Sequence, residues 1–205
     1  MSEETSPSPP PDRRARLRER TKREAMDIAL EQLARTGPSG ISVNAIAKAM
    51  GMTGPALYRY FAGRDDLLTA LIADAYTDLA GALVQAGAEA PEGGGGSHRG
   101  ERLRRFAHGW RGWAKEHPDR YLLIYGTPVP GYAAPEETTA IADRMMRTAV
   151  AACAELGPVQ EAKRRALRAW TRLHGLVGLE VAGHFDGMDL DVDALYAEEV
   201  EDLIR

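Results

Sequence analysis

The chain is poor in cysteine and aromatic residues and has no long apolar run. One of its 205 residues is a cysteine, Cys153, so neither an internal disulfide nor a cysteine-based zinc cluster can form, which fits a reducing, intracellular compartment. Nowhere do about 18 apolar residues follow one another, and the first twelve residues, MSEETSPSPPPD, lack the apolar segment of a secretory leader. Secretion and membrane insertion are not expected; a cytoplasmic location is. Catalytic signatures are missing as well. There is no G-x-S-x-G turn and no G-x-x-x-x-G-K-[ST] loop, and GGGGSHRG lacks the strand and the lysine of a phosphate cradle. His98, His108, His117, His174 and His184 form no H-E-x-x-H arrangement and no i, i+4 pair, so no metal and no cofactor is expected. Cys153 lies in an alanine-rich helical stretch and reads as a packed residue rather than a nucleophile.

What is present is an uneven distribution of charge. The whole chain has 26 basic and 30 acidic residues, but residues 12–68 hold eleven Lys/Arg against seven Asp/Glu, while residues 69–205 hold fifteen against twenty-one. The basic end is the part suited to a polyanion. Within it, residues 13–23 carry seven Arg/Lys and one Glu. Such an arm would meet phosphates or reach a minor groove, or it is simply a solvated helical face.

The periodicity predicts an all-α chain. Residues 1–12 have too little apolar content to pack and are expected to be disordered. A first helix starts at Arg13, with Leu17, Ala25, Ala29 and Leu33 on one face and Gly37 as its C-cap. Ser42 can cap a short second helix that buries Val43, Ile46, Ala47 and Met50, and Thr53 can cap a third that carries Leu57, Tyr60 and Phe61. Pro55 suits the first turn of that third helix. A fourth helix opens at Asp65 and Asp66 and runs to about Ala90, where PEGGGGSHRG reads as a flexible connector. Further helices are expected near 101–117, 119–125, 135–155, 160–185 and 194–204. YGTPVPGYAAP reads as a loop. Three parts follow: a tail at 1–12, a helix-turn-helix domain at 13–63, and a helical domain at 64–205.

The second and third helices have the spacing of a unit that enters a DNA major groove. Residues 25–68, AMDIALEQLARTGPSGISVNAIAKAMGMTGPALYRYFAGRDDLL, resemble the N-terminal domain of the TetR/AcrR family of transcriptional regulators. The resemblance rests on S-V-x-x-I-A-x-x-x-G, on L-Y-R-Y-F, and on a basic residue followed by D-D-L-L. Downstream, WTRLHGLVGLEVAGHF and YGTPVPGY resemble one C-terminal subgroup of that family, named for its Trp-x-x-x-His-Gly signature.

The resemblance implies a homodimer whose third helices read double-stranded DNA at a near-palindromic operator. Its C-terminal helices would form a ligand pocket and the dimer interface. Ser42 and Asn44 fall where the second helix meets DNA. Thr53, Gly54, Pro55 and Ala56 fall at the first turn of the reading helix. Tyr58 and Tyr60 match base- or phosphate-facing positions, and Arg64 matches a phosphate-gripping one. Gly54, Pro55 and Ala56 carry no side-chain hydrogen-bonding groups, so base reading here would rest on thymine methyls and on Asn44, Thr53 or Tyr58.

In the helical domain, Trp110, Trp113, Tyr121, Tyr125, Met145, Met146 and Trp170 together would suit an apolar cavity, with His108 or His174 as a polar handle for a small apolar or amphipathic ligand, and Trp110, Tyr125, Met145, Trp170 and the two histidines are the chosen contacts. The same residues would equally serve as plain core. Gly175, Gly178, Ala182 and Gly183, with Leu195, Val200 and Leu203, offer a partner-facing surface, or else pack inside one subunit. A ligand-responsive dimeric regulator, most simply a repressor, is the leading reading. A helical interaction module that does not work through DNA, and an enzyme, are the others.

Overall fold

The computed structural model describes residues 13–88, 99–126, 128, 129 and 131–205. The expected disordered tail and most of the expected connector lie outside the described residues. Among these residues the chain is helical throughout and contains no strand, as the periodicity implies. It divides into two compact units, the first ending at Leu68 and the second starting at Thr69.

The first unit holds α1 (Arg13–Thr36), a 3-10 turn (Pro38–Gly40), α2 (Val43–Ala49), α3 (Gly54–Leu57) and the first turn of α4 (Arg64–Ala88). Ala25, Met26, Ala29 and Leu33 are the buried stripe of α1, three and four residues apart as one helical face requires. They share the interior with Ile46, Ala47, Leu57 and Phe61. Leu17, expected on that stripe, is 53% exposed. It sits two turns before Ala25, about 12 Å along the axis, beyond the stripe that starts there. Gly37 and Gly51 both take positive φ, at 68° and 66°, which only glycine accepts without strain. Ser42 Oγ accepts the Ala45 N–H at 3.3 Å, while its own N–H donates to Gln32 Oε1 at 3.0 Å. One residue thus caps α2 and ties it to α1.

The second unit holds the rest of α4, then α5 (Glu101–Glu116), α6 (Pro118–Tyr125), α7 (Glu136–Ala154), a 3-10 turn (Val159–Glu161), α8 (Ala162–Val181) and α9 (Val192–Ile204). Its core draws on Leu79, Leu83, Phe106, Trp110, Tyr121, Leu173, Tyr196 and Val200. Each such side chain, fully buried, contributes roughly 1.5–3 kcal/mol. A Cβ on Gly109 would lie 2.9 Å from the Ala86 Cβ, so the absent side chain lets α5 approach α4. Val200 is fully buried. It packs inside its own subunit and is not part of the partner-facing stripe expected for α9. Over Arg64–Gly87, α4 has the length and a mean hydropathy, 1.5, that a membrane span would need, a likeness the composition had not suggested. Its apolar residues Leu71, Ile72, Ala75, Leu79 and Leu83 are instead covered by protein.

Candidate functional site

The turn between α2 and α3 is set by backbone bonds. Gly51 N–H donates to the Lys48 carbonyl at 3.1 Å and Met52 N–H to Ala47 at 2.8 Å, satisfying carbonyls that the end of α2 leaves open. Thr53 then runs extended and its carbonyl accepts from Ala56 and Leu57. The Thr53 hydroxyl makes no capping bond. The sequence had suggested a side-chain cap there; the backbone carbonyl does that work instead and the hydroxyl is left exposed.

α3 is shorter than its sequence suggested. The N–H groups of Tyr60 and Phe61 both converge on the Leu57 carbonyl, at 2.8 and 3.2 Å, tightening the chain into a turn as Phe61 swings into the core. Ser42, Asn44, Thr53, Pro55 and Tyr58 are exposed, and Gly54, Ala56, Tyr60 and Arg64 are half-buried. The Asn44 amide rests against the start of α3: a Cβ on Gly54 would meet Asn44 Oδ1 at 2.7 Å. Asn44, Thr53 and Tyr58 therefore present an amide and two hydroxyls beside the apolar surface of Pro55 and Ala56.

Two of the expected contact residues are held within the unit. The Arg18 guanidinium lies 5.2 Å over the Tyr60 ring and donates to the Arg59 carbonyl at 3.0 Å. Arg64 donates to the Pro38 carbonyl at 2.8 Å and lies 3.7 Å from Asp65. Arg18 was not singled out in the sequence, because nothing in a run of arginines marks the one that turns inward. Arg13, Arg16 and Arg20 lie three and four residues apart on an exposed face of α1. None of the three meets a carboxylate among the described residues.

In the second unit, five of the six expected ligand-lining residues come together. Trp170 and His174, one turn apart on α8, stack at 5.1 Å with their planes within 1°, and Trp110 of α5 stacks with the same imidazole at 6.0 Å. Tyr125 approaches His174 edge-on at 5.0 Å and donates its hydroxyl to Met145 Sδ at 3.3 Å. The sixth, His108, is exposed and contacts Tyr196 instead. Tyr121, also among the large side chains expected there, shares a 2.8 Å hydrogen bond with His174 Nδ1. Burial lowers the His174 pKa and raises those of Tyr121 and Tyr125, so at neutral pH these groups are uncharged. The rings fill one another's space. Beside them, α4, α6 and α7 line a half-open pocket of about 360 Å³, with Tyr76 in its wall.

A helix-turn-helix unit with an exposed polar edge is followed by a helical unit with its own core. Residues 25–71 match the bacterial regulatory proteins of the tetR family, and residues 103–203 match the tetracycline repressor-like C-terminal domain. The chain belongs to the TetR family. An HTH-type transcriptional regulator of Mycobacterium tuberculosis, Rv1816, is 38% identical over 128 residues, which is 62% of this chain and 53% of that protein. The chain thus spans about half the length of that curated relative. A second regulator of the same organism, the uncharacterized Rv0681, is 31% identical over 84% of this chain and 74% of its own. The crystal structure of the putative regulatory protein SCO4313 superposes with a TM-score of 0.84 at 44% identity, covering 94% of this chain and 98% of that one. A TetR variant from Acinetobacter baumannii, in complex with minocycline, shares the fold at a TM-score of 0.57 and 21% identity, over 88% of this chain and 92% of that one.

Proposed function

We propose that the protein is a dimeric repressor that binds a near-palindromic operator and leaves it when a small molecule occupies the second unit. It would act in the cytoplasm, where its DNA lies. The observation that carries this reading is the exposed edge of Asn44, Thr53 and Tyr58 at the helix-turn-helix, whose side chains make no hydrogen bond among the described residues. Tyr60 and Arg64 serve chiefly to hold α1 and the 3-10 turn against that edge. Within the family, the i, i+4 spacing of Trp170 and His174 in Trp-x-x-x-His-Gly would be explained by their stacking, which supports the subgroup of that name.

Dimerisation is supported by the outer face of α8. Leu167 and Leu179 are 53% and 46% exposed, and nothing lies within 4 Å of a Cβ placed on Gly175, so a second helix could approach closely there. Bound fragments selected from the source genome and footprinted should show a dyad, with half-sites one helical turn of about 34–36 Å, or a multiple of it, apart. Sedimentation at micromolar concentration should give a dimer. A monomer, or a protected site without a dyad, would refute the reading. Absence of specific binding to any fragment would favour the interaction module instead.

The basic face of α1 adds a separate expectation. α1 is already helical at Arg13, and a helix about 10–12 Å wide does not enter a minor groove about 6 Å wide. Arg13, Arg16 and Arg20 would therefore meet phosphates. Replacing all three with Ala should lower the slope of log K against log salt by about 2.7, at 0.9 per contact, and weaken all duplexes alike. An unchanged slope, read by fluorescence anisotropy, would leave that face solvated in the complex.

Ligand release would act through α4, which carries Arg64 at its start and the pocket residues Ile72 and Tyr76 further along. The ligand must favour the arrangement that does not bind DNA, and a 100-fold loss of operator affinity requires about 2.7 kcal/mol of such preference. The same fold holds minocycline in the A. baumannii protein.

A further inference from the structure

The reading helix is too short to hold itself. α3 has four residues, Gly54–Leu57, two of them glycine and proline, and a helix of that length and composition has no stability of its own. Its direction is therefore set by what grips its ends. At the start, the Asn44 amide rests against Gly54. At the end, Leu57 and Phe61 are buried, and the Ala62 N–H donates to Asp66 Oδ2 at 2.8 Å. Between Leu57 and Phe61 lie Tyr58 and Arg59, both exposed, and the half-buried Tyr60. This stretch is gripped from α1. The Arg18 guanidinium covers the Tyr60 ring at 5.2 Å and donates to the Arg59 carbonyl at 3.0 Å, the first contact lying inside the ~6 Å reach of a cation over an aromatic face. Residues 13–24 of α1 include no buried residue, so the tie is a polar contact made where α1 has no core to rest on.

We propose that Arg18 is a positioning residue for DNA recognition: it fixes the turn that carries Tyr58, and so sharpens sequence discrimination, without itself touching DNA. The proposal rests on the reading of the protein as a DNA-binding regulator. Guanidinium chemistry suits the task. A planar guanidinium can lie flat on a ring and still donate in its own plane to a carbonyl, whereas an ammonium is a point charge that satisfies one of the two at a time. The place of Arg18 along α1 fits as well. Arg13, Arg16 and Arg20 share one exposed face, and at 3.6 residues per turn Arg18 falls on roughly the opposite side of the helix. Phosphate attraction and the tie to Tyr60 therefore use different faces of one basic segment. Loss of a phosphate contact weakens every duplex alike. Loss of the tie acts differently, since a loosened turn lets Tyr58 meet more than one base and costs discrimination first.

The test uses the full chain, a duplex selected by the wild type from a random-sequence library, and the same duplex with single base pairs exchanged. In the free protein the Arg18 δ-protons should be shifted upfield by the Tyr60 ring in NMR spectra and should lose that shift in Tyr60→Leu. Arg18 is exposed, so its replacement leaves the core untouched. Arg18→Lys, which keeps the charge, should bind the selected duplex about tenfold more weakly and the exchanged duplexes nearly as well as the wild type does, with the slope of log K against log salt unchanged. Tyr60→Leu should show the same pattern, and the double variant should be no worse than either alone. Wild-type affinity and discrimination in Arg18→Lys would overturn the proposal. So would a uniform loss on every duplex in Arg18→Ala with a slope lower by about 0.9, the mark of a phosphate contact. Additive losses in the double variant, or Arg18 δ-protons without a ring shift, would also overturn it. Failure of the wild type to prefer any duplex would refute the regulator reading and the positioning role together, whereas a sequence-specific wild type whose variants discriminate equally well would refute the role alone.

Discussion

Leu57→Ala is expected to abolish operator binding while leaving the tryptophan emission of the protein unchanged. Leu57 is fully buried, and its carbonyl collects the two N–H groups that close the turn after α3. Removing such a side chain costs about 2–5 kcal/mol, depending on how far the site collapses. A unit of this size has total stability of roughly 3–8 kcal/mol at 0.05–0.15 kcal/mol per residue. Most of that margin would be lost. All three tryptophans, Trp110, Trp113 and Trp170, lie in the second unit, so their emission reports on that core alone. Far-UV circular dichroism should show part of the helix melting early, with the emission transition unmoved. Wild-type operator affinity, or an early shift in both signals, would show that the two cores are not separable in this way.

Arg111→Ala is expected to destabilise the second unit by about 3 kcal/mol, near the lower end of what breaking a buried ion pair costs. Arg111 is 7% exposed. It joins three helices: it donates to both Glu180 oxygens of α8, at 2.6 and 2.7 Å, lies 2.6 Å from an Asp193 oxygen of α9, and covers the Tyr196 ring at 4.8 Å. Lys115 lies 3.2 Å from Glu180 and would keep part of its charge balanced in the variant, hence the lower figure. The emission-monitored melting temperature should fall by about 10 °C. Burial pushes the Glu180 carboxyl up, but hydrogen bonds from Arg111 and Lys115 outweigh it and hold the carboxyl below its usual range. The sign follows: this contribution is fully present above the ordinary carboxylate range and is lost as the pH falls through the depressed value. The wild type should therefore lose more stability than the variant on acidification below about pH 4.5. Equal acid sensitivity would mean that the network contributes little.

The helices were legible because burial imposes a period on the sequence. α5, α7 and α9 begin and end within about two residues of where the apolar spacing put them, and Ser42 caps α2 as its position suggested. The errors lie where local pattern gives way to tertiary contact. Thr53 has a capping side chain that the backbone makes unnecessary, and α3 is cut short because Phe61 is drawn into the core. Val200 and Leu17 look alike in an apolar count, yet one is buried and the other is not, since position along the helix decides what covers them. The aromatic stack could be gathered from the sequence because large rings at helical spacing must meet something. The pocket beside it could not, because its walls come together only once α4, α6 and α7 are set against one another.

The contact between Asn44 and Gly54 makes these two positions a single unit of variation. Any residue with a side chain at 54 would place its Cβ 2.7 Å from the Asn44 amide oxygen, so the amide, at the end of a flexible side chain, would turn as the larger residue is seated. A scan that altered one position at a time would then credit residue 54 with a change that belongs to the movement of residue 44, and the two substitutions combined would not sum.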